Sequence, residues 1–491
     1  MIIPALICGT VFTGCKKQKV TVTVELSDKS NVNLIYSVPI SGTIFLGFCD
    51  TLKTNETGRF ELNFKIAQPS FIVIRDGDFE NSVKLLVEPG NNYHVSMGPE
   101  KNVQITGANE KGQMLYTTLP NPDLIELELR KIGINTLNIS DTISSIYVHQ
   151  KINELKQFDM SKFGELLNSG EISKSFFDLV QKDRDCYYAS MEASFSIIKI
   201  NRLLRTETKI EDELLENLKK IYDQYPPNDK SLLFSSFWQE YAKFYVQYYQ
   251  QYIQKDYDFK KMQNLYSDGM LNTYYINESK KYLSGNVLEF FQASHIHFTC
   301  FQNQFEKELI LLFEHFDKDY PQSEYSKYIK PYIDEIINYH RIIEQPFDQA
   351  MLFMDNYETI NTLEEAIKPL IGKKIYIDVW ATWCGPCKRE FAHNEALKKI
   401  LAEKNIQQLY ISIDRDDYEQ QWKEMIKYYN LAGTHIRANQ EFSLNLMKLF
   451  SKNVENPSIA IPWYLLIDEQ GNIMEERAKH PSQLVAGEKL W

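Results

Sequence analysis

Val20, Val22 and Val24 alternate with Thr21, Thr23 and Glu25, a period of two that predicts a strand with one buried face. Further apolar runs follow over residues 43–48, 60–66, 71–74 and 83–87. Turn signals separate them at Thr57-Gly58, Gln68-Pro69, Asp76-Gly77 and Glu88-Pro89-Gly90-Asn91-Asn92. Many short strands at this spacing predict an antiparallel, sandwich-like β-domain over residues 19–107. It holds no catalytic constellation.

Over residues 108–345 the pattern changes to sparse Gly and Pro and long amphipathic stretches, which predict a helical domain. Within 232–252, Phe234, Trp238, Tyr241, Tyr245, Tyr248 and Tyr252 recur at three- and four-residue steps, one face of a helix. Such a stripe can line a ligand groove, but a packed helical core explains it more simply. Further helices are expected at 210–222, 304–316 and 324–339. His295 and His297 invite a metal reading, yet positions two apart on a helix point to different sides and no ligand set accompanies them. Residues 342–371 lead into a last domain over 346–491.

Composition narrows the class. At 491 residues the chain should hold two to four domains, and 43% hydrophobic with 24% charged residues is the composition of a soluble globular protein. Its 54 Lys and Arg against 66 Asp and Glu give a net charge of −12, so it lacks the cationic footprint that nucleic acid requires. Of seven cysteines, only Cys384 and Cys387 form a local motif. None has zinc-ligand spacing to a second pair, so no metal is expected. Cys49, Cys186 and Cys300 read as small buried hydrophobes.

The first residues, MIIPALICGTVF, are apolar and precede Thr13-Gly14-Cys15 and a polar Lys16-Lys17-Gln18-Lys19. The run is shorter than the ~20 residues that span a bilayer and reads as a signal peptide over 1–15. Small residues before Cys15 resemble the lipobox of bacterial lipoproteins, which implies acylation of Cys15 and a lipid anchor to the membrane. A frayed apolar N-terminus is the alternative.

The chemistry concentrates in residues 375–390, Ile-Tyr-Ile-Asp-Val-Trp-Ala-Thr-Trp-Cys-Gly-Pro-Cys-Lys-Arg-Glu. A β-prone run leads into a turn, then a helical pattern. Cys384 sits where the helix begins, and unpaired N–H groups and the macrodipole there favour a thiolate. The two-residue spacing lets Cys387 reach it, so Cys384 attacks a disulfide and Cys387 resolves the mixed intermediate. A zinc pair would need further ligands, and Gly385-Pro386 favours a helix start instead.

These residues resemble the active site of the thioredoxin superfamily. Cys387-Lys388-Arg389-Glu390 is similar to the periplasmic thiol reductases of the TlpA/ResA type. The resemblance continues through 409–414 (Leu-Tyr-Ile-Ser-Ile-Asp), and through 461–468 (Ile-Pro-Trp-Tyr-Leu-Leu-Ile-Asp) with the Gln470-Gly471 turn. It implies an α/β thioredoxin fold in the last domain and a cis Pro462 facing the cysteines. It also implies that Ile461 contacts the substrate backbone, together with Trp383, Gly385 and Pro386 around the pair. Asp378 matches the family's buried aspartate, which exchanges a proton with Cys387; an aspartate satisfied by backbone donors is the alternative. Glu390 matches a glutamate that tunes the pair, against the alternative of an exposed helix carboxylate. Gly58-Arg59-Phe60, Val87-Glu88-Pro89-Gly90 and Ile105-Thr106-Gly107 resemble a small β-domain of unknown function found before thioredoxin domains in lipoproteins of the Bacteroidota.

The resulting expectation is a periplasm-facing, membrane-anchored thiol-disulfide oxidoreductase of the cell envelope, working as a reductase. It would need no cofactor. It would act on a protein or small-molecule disulfide substrate and take electrons from a membrane thiol donor. Two alternatives stay open: a disulfide oxidase or isomerase, and a binding lipoprotein whose redox site is secondary. A peroxidase is disfavoured, because no cysteine sits in a Pro-x-x-x-Thr-x-x-Cys setting.

Overall fold

The computed structural model describes residues 17–27, 33–38, 48–53, 58–76, 82–98, 102–119, 143–205, 210, 212–235, 237–254, 259–452 and 455–490. The lipobox Cys15 and all but Phe48 of the apolar run expected over 43–48 lie outside them. The chain forms two compact units, one of Met1–Phe298 with Leu311–Pro331, the other of Thr299–Ile310 with Tyr332–Trp491.

In the first unit the alternating valines become β1 (Gln18–Leu26), with Val20, Val22 and Val24 fully buried. The strands β2 (Asn33–Ser37), β3 (Cys49–Lys53), β4 (Arg59–Ile66), β5 (Ser70–Asp76), β6 (Ser82–Val87), β7 (Asn92–Met97) and β8 (Val103–Gly107) follow. They form two four-stranded sheets, ordered β4-β1-β7-β8 and β3-β2-β5-β6, whose inner faces share one apolar core. One pairing departs from the antiparallel expectation: β1 runs parallel to β7, with Val22 opposite Tyr93. Parallel neighbours need a long connection, and here the second sheet intervenes between them in sequence.

The near-continuous apolar runs of β5 and β6 have a cause that alternation alone does not supply. Ile72, Ile74, Val83 and Leu85 face the sheet–sheet core, while Phe71, Val73 and Leu86 face Tyr116, Phe163, Phe176 and Val180 of the helical segment. Strands buried on both faces lose their polar alternation. The edge of β6 is closed by Gln113, whose amide accepts the Leu86 N–H at 3.1 Å and donates to the Leu86 carbonyl at 2.6 Å. Beside it, Lys84 and Arg184 both pair with Asp183, at 3.3 and 2.7 Å, and Tyr116 donates to it at 2.9 Å. All four are buried.

The helical segment packs as a core. Trp238 and Tyr241 are fully buried, and Tyr222 meets the rings of Tyr241, Tyr245 and Tyr248. The single helix expected over 232–252 is instead three pieces: a 3-10 turn (Lys230–Phe234), an α-helix (Trp238–Gln247) and a π-helix (Tyr248–Ile253). Ser235 breaks it, with extended backbone and a hydroxyl that accepts the Phe237 N–H. The helix expected from 304 begins at Glu308, because Asn303 and Phe305 take left-handed φ of 52° and 58°. The other two helices are Asp212–Gln224 and Ser326–Ile343. His295 bonds Asn272 at 2.9 Å and His297 packs on Phe48. Among the described residues no cluster of His, Cys, Asp or Glu is placed to hold a metal ion. Cys186 and Cys300 are buried, but Cys49 is exposed. It begins β3, an edge strand with one partner, where a side chain need not face the core.

The second unit is an α/β structure. Its six strands are β9 (Met351–Phe353), β10 (Ile375–Trp380), β11 (Gln407–Ser412), β12 (Gly433–Arg437), β13 (Trp463–Ile467) and β14 (Ile473–Glu475), ordered β14-β13-β10-β11-β12-β9. β10 runs parallel to β11 and antiparallel to β13, and every one of its residues is buried. Helices Asn394–Glu403, Glu419–Tyr428 and Gln440–Phe450 supply much of the cover. The segment Thr299–Ile310 adds Phe305, stacked on Tyr339 at 4.3 Å and packed on Tyr428.

Candidate active site

Central strand β10 delivers Ala381, Thr382 and Trp383 and then the helix Gly385–Glu390, whose N-cap is Cys384. Pro386 lies in the first turn, where its missing N–H leaves no unsatisfied donor. Cys384 and Cys387 form a disulfide with Cα atoms 5.3 Å apart, and the Cys387 N–H points at the Cys384 sulfur at 3.1 Å. This is the oxidised state. Cys384 is 3% exposed and Cys387 is fully buried, whereas Trp383 is 56% exposed. Gly385 and Pro386 lie half-buried and exposed on the same turn.

Asp378 sits mid-strand, 1% exposed, and its Oδ1 has no hydrogen-bond partner among the described residues. Register places it between Tyr410 of β11 and Tyr464 of β13. Burial, and then the charge of Glu390, hold its carboxyl well above the ordinary carboxylate range. No backbone donor reaches Asp378 Oδ1 among the described residues. Glu390 is not a free surface carboxylate either: it accepts the Ser482 N–H at 2.9 Å and hydroxyl at 3.0 Å, with His480 Nδ1 at 3.7 Å. The Ile461–Pro462 peptide is cis. Because Trp463 pairs with Val379, Pro462 lies at the end of β10 from which the Cys384 loop departs.

Sequence reasoning passed over two groups. Asp414, 1% exposed, accepts the Thr382 N–H at 2.9 Å, the Thr382 hydroxyl at 2.8 Å and the Ser412 hydroxyl at 2.7 Å, pinning the loop before Cys384. Burial raises its carboxyl and these donors pull the other way, with a net rise. The strand run 409–414 ended on this residue, so a carboxylate at the end of an apolar strand was the available signal. Lys388, 5% exposed, donates to the carbonyls of Asn303 at 2.9 Å and Gln302 at 3.3 Å. Burial lowers its ammonium to about 8, against the pull of Glu306 and Asp414. Its partners lie more than eighty positions away, beyond any local pattern.

Residues 363–483 match the Redoxin family model. This unit carries a thioredoxin-superfamily domain. Over 111 residues it is 29% identical to the thiol-disulfide oxidoreductase ResA of Bacillus cereus, covering 22% of this chain and 57% of that protein. The chain thus spans little more than half the length of the curated relatives it matches. A thioredoxin-like protein of Bacillus subtilis, YneN, is 36% identical over 47 residues, 10% of this chain and 28% of that one. Among solved structures, the thioredoxin domain of a thiol-disulfide oxidoreductase from Bacteroides vulgatus is 18% identical, with TM-score 0.21, over 24% of this chain and 79% of that one. On the family match and the architecture above, the thioredoxin-superfamily resemblance and the three-part fold class expected from the sequence hold.

Proposed function

We propose that the chain is a thiol-disulfide oxidoreductase that works as a reductase through Cys384 and Cys387. The observation that carries this is the disulfide at the head of the Gly385–Glu390 helix, next to a strand holding the buried Asp378. In the reduced protein, the Cys387 N–H aimed at Cys384 favours a thiolate there. That thiolate attacks one sulfur of a substrate disulfide and expels the other as a thiolate, which takes a proton from water. In its ionised form Asp378 accepts the proton of Cys387, whose thiolate attacks the Cys384 sulfur and expels the second substrate sulfur as a thiolate, to which that proton then passes. Two electrons pass to the substrate, and the pair returns to the disulfide. A dithiol donor at the membrane restores the reduced pair. Glu390 acts through Asp378, while Trp383, Gly385, Pro386, Ile461 and Pro462 border the bound substrate.

The reading extends to a periplasm-facing cell-envelope lipoprotein anchored through Cys15. It rests on the sequence over 1–15, and on the point that no helix among the described residues is long and apolar enough to cross a membrane. A second reading, a binding lipoprotein with a secondary redox site, draws on a cavity of about 460 Å³ in the helical segment of the first unit. His149, Lys156, Asp185 and Glu192 line it. A Cys387→Ser trap separates the two. Covalent partners released by dithiothreitol and absent from Cys384→Ser/Cys387→Ser support the oxidoreductase; capture that ignores the cysteines supports the binder.

A further inference from the structure

A cavity of about 300 Å³ opens where β13 begins, walled on its apolar side by Ile461, Pro462, Trp463 and Phe450. Arg477, Lys479 and His480 also line it, and none of the described lining residues is a carboxylate. Its charged lining side chains are thus basic, in a chain of net charge −12.

The three basic residues are not equivalent. Lys479 is matched by Glu488 at 2.7 Å, and His480 faces Glu390. Arg477 forms no ion pair among the described residues; its guanidinium lies 4.5 Å from the centre of the Phe450 ring. Stacking orients the planar fork while leaving its in-plane N–H donors for a ligand. The place matters as much as the charge. Pro462 marks the end of β10 that leads to Cys384, and Ser482, two residues beyond His480, is tied to Glu390 of the cysteine-bearing helix.

Resting on the thiol-disulfide reading above, we infer that this cavity selects substrate: the site takes a peptide disulfide with an acidic side chain near the reacting cysteine, and the carboxylate docks on Arg477. The apolar wall receives the adjoining residues, and the planar guanidinium offers a carboxylate two parallel N–H donors.

The test is reduction of three synthetic peptides by the full chain, with dithiothreitol as donor. Each peptide holds one cystine, flanked by Glu-Glu, Ser-Ser or Lys-Lys, and 2-hydroxyethyl disulfide serves as a neutral reference. The quantity read is the ratio of kcat/KM for the Glu peptide over the Lys peptide within each variant, so a general loss of activity cancels. For the wild type we expect a ratio of about ten, which one well-formed charge-assisted contact supplies. Arg477→Gln brings it near one, and Arg477→Glu inverts it; if the latter misfolds, the former reads the same quantity. A wild-type ratio near one, with 2-hydroxyethyl disulfide still reduced, overturns the substrate class and leaves the thiol chemistry standing. An unchanged ratio in Arg477→Gln overturns the role of Arg477. No reduction of any disulfide overturns both.

Discussion

Replacing Asp378 by Asn should stabilise the second unit, and by an amount that grows with pH. The carboxyl is buried, one oxygen lacks a partner, and Glu390 adds a like charge, so the folded state holds its proton well above the ordinary range. In the unfolded chain the same group titrates near the usual ~3.9. Between those two values the folded state carries one more proton than the unfolded state. The stability this group contributes is therefore fully present below pH ~3.9 and is lost as pH rises toward the folded value, with a slope of about 1.4 kcal/mol per pH unit. Asn cannot ionise, so the variant-minus-wild-type difference should be constant at low pH, climb at that slope, and level off at the folded pKa. Urea unfolding of the oxidised protein across a pH series measures it. Of the described tryptophans, Trp380, Trp383, Trp422 and Trp463 lie in this unit and Trp238 in the other, so fluorescence weights the relevant transition. A flat difference, or one that falls with pH, would mean that folding does not raise the Asp378 carboxyl, and would leave it too weak a base to take the proton of Cys387.

Glu390→Gln removes the like charge beside Asp378, so the levelling-off point in the same series should move to lower pH; an unmoved plateau would refute the coupling. Asp414→Asn breaks the clamp on Thr382, and losing charge-assisted buried bonds should cost the second unit about 1–3 kcal/mol and slow attack on 2-hydroxyethyl disulfide. A full-rate variant would show that the loop needs no such pin. In the first unit, Asp183→Asn leaves Lys84 and Arg184 buried without their counter-charge, which should cost about 3–5 kcal/mol. Adding Lys84→Met should restore part of that loss in urea unfolding, and a double mutant no better than the single would contradict the pairing.

Much of the site was legible because it is local in sequence. Strand, turn, cysteine pair and helix occupy sixteen consecutive residues, 375–390, and physics ties each type to its place there. The strands of the first unit were equally readable where one face is solvated, as in β1. What escaped depends on distance along the chain. Asp414 meets Thr382 across thirty-two positions, Ser482 meets Glu390 across ninety-two, and Lys388 reaches carbonyls at 302 and 303. Periodicity cannot see such pairs. Other misses were cases where tertiary context decided the matter. Left-handed backbone at Asn303 and Phe305 delayed a helix, Ser235 split another, β7 added to β1 in parallel, and Cys49 fell on an edge strand facing out.

The central claim is that the Cys384–Cys387 disulfide is a working, reducing couple. Its reduction potential, from equilibration of the full chain in defined thiol buffers, tests that most directly. A value near the thioredoxin range of about −270 mV is the predicted result. A value above about −180 mV, or no reversible two-electron couple, would contradict it.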